Sequence, residues 1–184
     1  MRHAFGWKPI MLVAVGAACL TAAGRSEPVA PDKLPEPVAR TFKAMFPNGT
    51  IEKLDVEAEE GVMVYDFEFT AGGREKETDI AGDGTMIEST LVITAKDIPG
   101  PAMKGILAAA KGAKLGRMEW IETFYELKAG KVIKLPKAEI HYAAELSRRN
   151  QTAEVFVDPT GKVTAAPEWV TAAPKPAPPK AAGK

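Results

Sequence analysis

Residues Gly61–Gly84 read GVMVYDFEFTAGGREKETDIAGDG, and the alternation in this stretch decides the fold. Met63, Tyr65, Phe67 and Phe69 fall on one side of an extended strand, with Val64, Asp66 and Glu68 on the other. A period of two with one apolar side marks a strand buried on one face and wet on the other. Ala71-Gly72-Gly73 turns the chain, Arg74–Ile80 brings it back, and Gly82-Asp83-Gly84 turns it again.

Strands Ile51–Glu57 and Thr85–Ile93 flank this core, and short turns between all four predict an antiparallel meander. Upstream, Leu34-Pro35-Glu36-Pro37 opens a helix, because proline suits a first turn whose amides have no partner. Val38, Phe42, Met45 and Phe46 give it one apolar stripe, and Pro47-Asn48-Gly49 stops it. Downstream the pattern restarts. Ile98-Pro99-Gly100-Pro101 echoes the helix start 64 residues on, with Ala102, Ile106, Ala109 and Ala113 as the stripe. Strands Leu115–Leu127 and Val132–Leu135 follow, and Tyr142–Leu146 matches Tyr65–Phe69 at a spacing of 77. The change of spacing places 13 inserted residues in a Thr123–Lys137 hairpin. Such self-similarity predicts an α+β fold of two tandem repeats, each one helix packed on a meandering antiparallel sheet of about four strands. The repeats span residues 34–97 and 98–171, and a joining of their sheets into one longer curved sheet is left open.

The chain has 184 residues and no formal net charge. Five of its 24 bases lie in residues 1–24 and 174–184, where there is no acid; the body between keeps 19 bases against 24 acids, a net of −5. An acidic body argues against nucleic acid, which needs clustered Lys and Arg. Residues 1–24 read as a signal peptide: Arg2 and Lys8, then the apolar Pro9–Leu20, then the small residues Thr21–Gly24. The apolar run is too short for a stable membrane span. Export to the periplasm or the cell exterior is expected. Cys19, the single cysteine, is either lost on cleavage or, as the lesser alternative, becomes a lipid-bearing first residue. Residues 25–33 read as a linker, and 172–184 as a disordered Ala/Pro/Lys tail.

Leu34-Pro-Glu-Pro-Val, Phe46-Pro47, Tyr65 among alternating hydrophobics and Asp83-Gly84 before a last strand together resemble the PepSY-like domain family. That family includes modules resembling the beta-lactamase inhibitory protein. The second half keeps the Pro-x-Pro start, the Tyr strand and the Asp158-Pro159-Thr160-Gly161 turn, but lacks the Phe-Pro helix stop. The resemblance implies a secreted or periplasmic fold that binds or inhibits, and it supplies no catalytic residues.

Chemistry-bearing patterns are sparse. His141 is the sole histidine after the leader, so a His-based metal site has no second His or Cys. Ser89 and Ser147 lie outside any nucleophile elbow. Asp79–Gly84 has Ala81 where a calcium loop needs an oxygen ligand, so it reads as a turn. No cofactor, no metal and no enzymatic activity are expected. With Tyr65 and Tyr142 facing the helices, the other sheet face collects Asp55, Glu57, Asp66, Glu68, Glu75, Glu77 and Asp79. Its second half adds Glu119, Glu139, His141, Glu145, Glu154 and Phe156. That face is either simply solvated or a site for a basic protein, a basic peptide or a divalent ion, with Asp66, Glu68, Glu75, Glu77 and Asp79 as binding residues. Trp120, Phe124 and Tyr125 form a second candidate binding set, unless they pack beneath the second helix. The expected function is a monomeric, non-enzymatic binding module, with inhibition of a peptidase or beta-lactamase type hydrolase as its sharper form. A passive envelope module and a small carboxylate/His hydrolase are the alternatives.

Overall fold

The computed structural model describes Glu27–Pro28 and residues 33–171. The leader, its Cys19 and the Pro/Lys tail lie outside the described residues. The element order is β1 (Glu27–Pro28), α1 (Glu36–Met45), β2 (Thr50–Glu59), β3 (Val62–Ala71), β4 (Arg74–Ala81) and β5 (Met86–Ile93). Then come α2 (Gly100–Ala110), β6 (Lys114–Lys128), β7 (Lys131–Arg148), β8 (Gln151–Val157), β9 (Val163–Ala165) and β10 (Val170–Thr171).

All ten strands join one antiparallel sheet, in which β1 to β8 follow in chain order and β9 and β10 both pair with β8. This corrects the expected α+β pair of tandem helix-on-sheet repeats. The molecule is mainly β, one continuous sheet carrying two short helices. The reason is the ladder between β5 and β6, which runs from Glu88 opposite Thr123 to Ile93 opposite Met118. An edge strand exposes a row of unmet N–H and C=O groups, and pairing β5 with β6 removes two such edges at once. The boundary drawn at residue 98 therefore falls between two strands that are paired with each other.

Both helices lie on the same face of this sheet. Phe69, Lys76, Leu91, Trp120, Tyr142 and Val157 stand opposite one another in a single row that crosses six strands. Under α1, Val38 and Phe42 pack on Leu54, Phe67, Phe69 and Ile80, with Tyr65 beside them. The Phe42 ring stacks on Phe67 at 4.5 Å and meets Phe69 edge-on at 5.0 Å. Under α2, Ala102, Ile106 and Ala110 pack on Tyr142, Ala144, Leu146, Ala153, Val155 and Val157. Tyr65 and Tyr142 thus face the helix side, as the alternation predicts.

Two glycines set how closely the helices approach. A Cβ on Gly84 would stand 2.9 Å from the Pro37 carbonyl at the start of α1, and one on Gly105 of α2 would run into the Gly161 carbonyl. Thr41 adds a hydroxyl bond of 2.7 Å to the Gly84 carbonyl.

The hairpin expected at Thr123–Lys137 is there but differs in form. Val132–Leu135 and Tyr142–Leu146 belong to one strand, the 18-residue β7. Its partner β6 skips register between Thr123 and Tyr125, while β7 advances from Glu139 to Lys134. Beyond that bulge the hairpin bends over the face opposite the helices. Tyr125, Leu127 and Val132 pack there on Val64, Ala81 and Ile87. The tip meets the β2–β3 turn: the Gly130 N–H donates to the Glu60 carbonyl at 2.6 Å.

Candidate functional site

The face away from the helices is where the sequence put its carboxylates, and backbone register shows how they meet. One row runs Lys53, Glu68, Glu77, Thr90, Ile121, His141 across β2 to β7. A second runs Asp55, Asp66, Asp79, Glu88, Thr123, Glu139. Glu119, Ala143 and Phe156 share a third row, and Glu145 and Glu154 stand opposite each other on β7 and β8. The five acids singled out from Asp66 to Asp79 therefore occupy one contiguous surface. Because β5 pairs with β6, that surface continues without a break into the second half of the chain.

This face is not simply solvated. The Glu119 side chain is 13% exposed, Glu68 14% and Asp55 11%. The hairpin covers one end, and the acids crowd one another along the rest. Burying carboxylates requires compensating charge. Among the described residues, Lys53 and Arg117 supply it. Lys53 bridges Asp55 at 2.7 Å and Glu68 at 2.9 Å. Burial opposes its charge, but the bonds to Asp55 and Glu68 prevail and hold its pKa above the ordinary lysine value. Arg117 on β6 reaches past β5 to Glu77 on β4, binds Glu119 on its own strand, and lies 3.8 Å from Glu75. Its main-chain N–H donates to Glu145 at 3.2 Å.

Around Arg117 one guanidinium serves several carboxylates, and the acids there show it. Burial, then the neighbouring Glu119, pushes Glu77 up to about 8 against the pull of Arg117. Burial, then Glu119 and Glu145, pushes Glu154 up to about 8. Burial raises Glu119 also, with Arg117 opposing. Desolvation and like charge both favour the neutral acid, so this surface holds protons that ordinary carboxyls release.

Arg117 was not singled out from the sequence, although its phase with Glu119 on the strand gave the signal. Thr90, Ile121, Thr123 and Ala143, all buried, complete the floor of the face. The aromatic set does not form one patch. Trp120 packs against the cluster under α2, Tyr125 packs under the hairpin tip, and Phe124 sits half-buried at the bulge between them. Trp169 also joins the α2 cluster, with the Arg148 guanidinium 3.7 Å over its ring.

The other sequence candidates resolve into turns. Asp83 accepts from the Thr85 N–H at 2.8 Å, and Asp158 accepts from Thr160 and Lys162 within its own turn. Ser89, beside Thr78 and Glu122, points to the helix face, on the other side of the sheet from His141. Ser147 shares the His141 face but lies six residues along β7, roughly 20 Å away at strand rise. Neither serine reaches the imidazole. Among the described residues no group of three or more His, Cys, Asp or Glu is placed to hold a metal ion, and no helix is long and apolar enough to cross a membrane.

No family model matches the chain, and no curated protein matches it. Solved structures do share its fold. A Bacteroides eggerthii protein, named for an expected periplasmic location, superposes with a TM-score of 0.56 at 14% identity, over 75% of this chain and 90% of that one. A DUF2874 family protein from Bacteroides ovatus gives 0.53 at 15% identity, over 72% and 85%. A BLIP-like protein from Bacteroides fragilis gives 0.52 at 13% identity, over 80% and 94%. At such identities the likeness is one of fold. Of the resemblance drawn from the sequence, the part concerning the beta-lactamase inhibitory protein is supported at that level, and membership of the PepSY-like family is not shown.

Proposed function

We propose that the chain is a non-enzymatic binding module of the periplasm whose polar sheet face receives a cationic segment of a partner protein. The carrying observation is the crowding of Glu75, Glu77, Glu119, Glu145 and Glu154 around the guanidinium of Arg117, with Glu68 beside Glu77 and Glu119. Glu77, Glu119 and Glu154, which burial first and neighbouring acids next hold above their ordinary pKa, gain by receiving another base. An incoming Lys or Arg side chain would release protons from them and take their charge. Field from such a face also steers a basic partner during encounter.

The leader-like N-terminus and the fold shared with proteins named as periplasmic support the location. The fold shared with a BLIP-like protein supports the sharper form, in which the bound partner is a hydrolase and binding blocks it. The test replaces Glu68, Glu75 and Glu77 together by Gln, in pull-downs from envelope extract at low and high salt. Partner capture by the wild type should fall with salt and be lost in the triple variant. Capture that is unaffected by both changes would overturn the reading. Adding the captured hydrolase back to its own assay then decides between inhibition and simple binding.

A further inference from the structure

The chain has two asparagines, Asn48 and Asn150, and both are exposed turn residues. Their followers differ: Asn48 precedes Gly49, and Asn150 precedes Gln151. An asparagine side chain is open to attack by the main-chain nitrogen of the next residue. A follower without a side chain leaves that nitrogen free to approach.

Packing holds the labile pair in place. A Cβ on Gly49 would stand 3.1 Å from the Phe46 carbonyl oxygen and 3.2 Å from the Phe42 ring, so any side chain there pushes on the end of α1. The fold therefore favours glycine behind Asn48. The same packing governs access. The Gly49 N–H donates to the Phe46 carbonyl at 2.9 Å, and the Phe46 N–H donates to the Phe42 carbonyl at 2.8 Å. The Phe46 ring stands 4.5 Å from Phe69 and 5.6 Å from Phe42, with the Lys76 ammonium 5.9 Å from its centre. While these contacts hold, the Gly49 nitrogen keeps its proton and its direction. Local opening of the turn frees it.

We propose that Asn48 is a self-modification site, converted to aspartate and isoaspartate at a rate set by opening of the end of α1. The Gly49 nitrogen, released from Phe46 and deprotonated by solvent base, attacks the side-chain amide carbon of Asn48. A C–N bond forms, the bond to the side-chain nitrogen breaks, and that nitrogen leaves as ammonia. Water then opens the succinimide ring at either carbonyl. One opening gives aspartate. The other routes the main chain through the side chain and adds a carbon to the link from α1 to β2. No electrons are transferred, and water is the only co-reactant. Either product sets a new negative charge just past the C-terminal end of α1, where the helix dipole disfavours it. Asn150 lacks the opening, because Gln151 carries a side chain and pairs with both Arg148 and Thr171.

The test incubates the intact chain at mildly acidic and mildly alkaline pH. Mass spectrometry of its peptides then resolves asparaginyl, aspartyl and isoaspartyl forms. Conversion should appear at Asn48 several-fold faster than at Asn150 and should rise with pH. It should run several-fold slower than in a free peptide of residues 44–52. Phe46→Leu, which removes the ring contacts, should speed it towards the peptide rate. Urea below the unfolding midpoint should do the same in the unaltered chain. Conversion at Asn48 no faster than at Asn150 would overturn the proposal. So would a rate equal to that of the peptide, or one unmoved by both Phe46→Leu and urea, since the end of α1 would then not govern the reaction.

Discussion

Glu154 shows what a single side chain contributes to this fold. An unfolded glutamate titrates near the ordinary value, 4.5, while in the fold Glu154 holds its proton to about 8. The native state therefore binds more protons than the unfolded state between those values, and stability falls as pH rises through that window. Glu77, also at about 8, adds to the same slope. Glu154→Gln, which keeps the shape and discards the charge, should raise stability at pH 8 by on the order of 1–2 kcal/mol, allowing for solvent screening. It should leave stability near pH 4 almost unchanged, and urea midpoints at the two pH values check both. Alternation in the sequence assigned Glu154 to its face correctly. It gave no measure of how deeply the residue sits, because depth here comes from neighbours on other strands, Glu145 opposite it on β7 and Glu119 and Arg117 on β6.

The hairpin of β6 and β7 was legible as a turn between two strands and illegible as a shape. The sequence read as a strand that ended at Leu135, just before Pro136, and proline cannot donate to a ladder. The break is absent because Leu135–Ala138 lie inside the bulge, between the Glu139 and Lys134 pairings, where β6 asks nothing of the Pro136 nitrogen. The tip carries a visible cost. Ala129 has φ +50 and Gly130 φ +77, the left-handed pair a two-residue turn needs, and Ala is poorly suited to the first position. Ala129→Gly should stabilise the protein by about 0.5–1 kcal/mol, read as a shift in thermal midpoint. Gly130→Ala should do the reverse, and it should also loosen the bond to Glu60, measured as faster exchange of the residue 130 amide.

At the scale of the whole molecule, local periodicity found both helices and β2 to β5, and said nothing about what β5 would find beside it. Sequence likeness between the halves suggested two bodies. The ladder from Glu88–Thr123 to Ile93–Met118 makes them one sheet, an outcome that depends on long-range pairing and leaves no local signature. Unfolding should accordingly be a single transition. Phe67→Ala, in the cluster under α1, should cost about 3–5 kcal/mol. It should move Trp120 and Trp169 fluorescence, which reports on the cluster under α2, to lower denaturant in step with far-ultraviolet circular dichroism. Separate midpoints for the two signals would show that the halves melt apart.

The two rims of the sheet carry one more consequence. On the β2 side the ladder skips register around Glu52, and Pro28, without an N–H, lies along the outer strand. On the β8 side, β9 and β10 close off the two ends of the last long strand. A stray chain looking for a straight row of free amides to copy finds none of useful length at either rim among the described residues. The native protein is thereby a poor template for fibril growth, even when concentrated in a confined space.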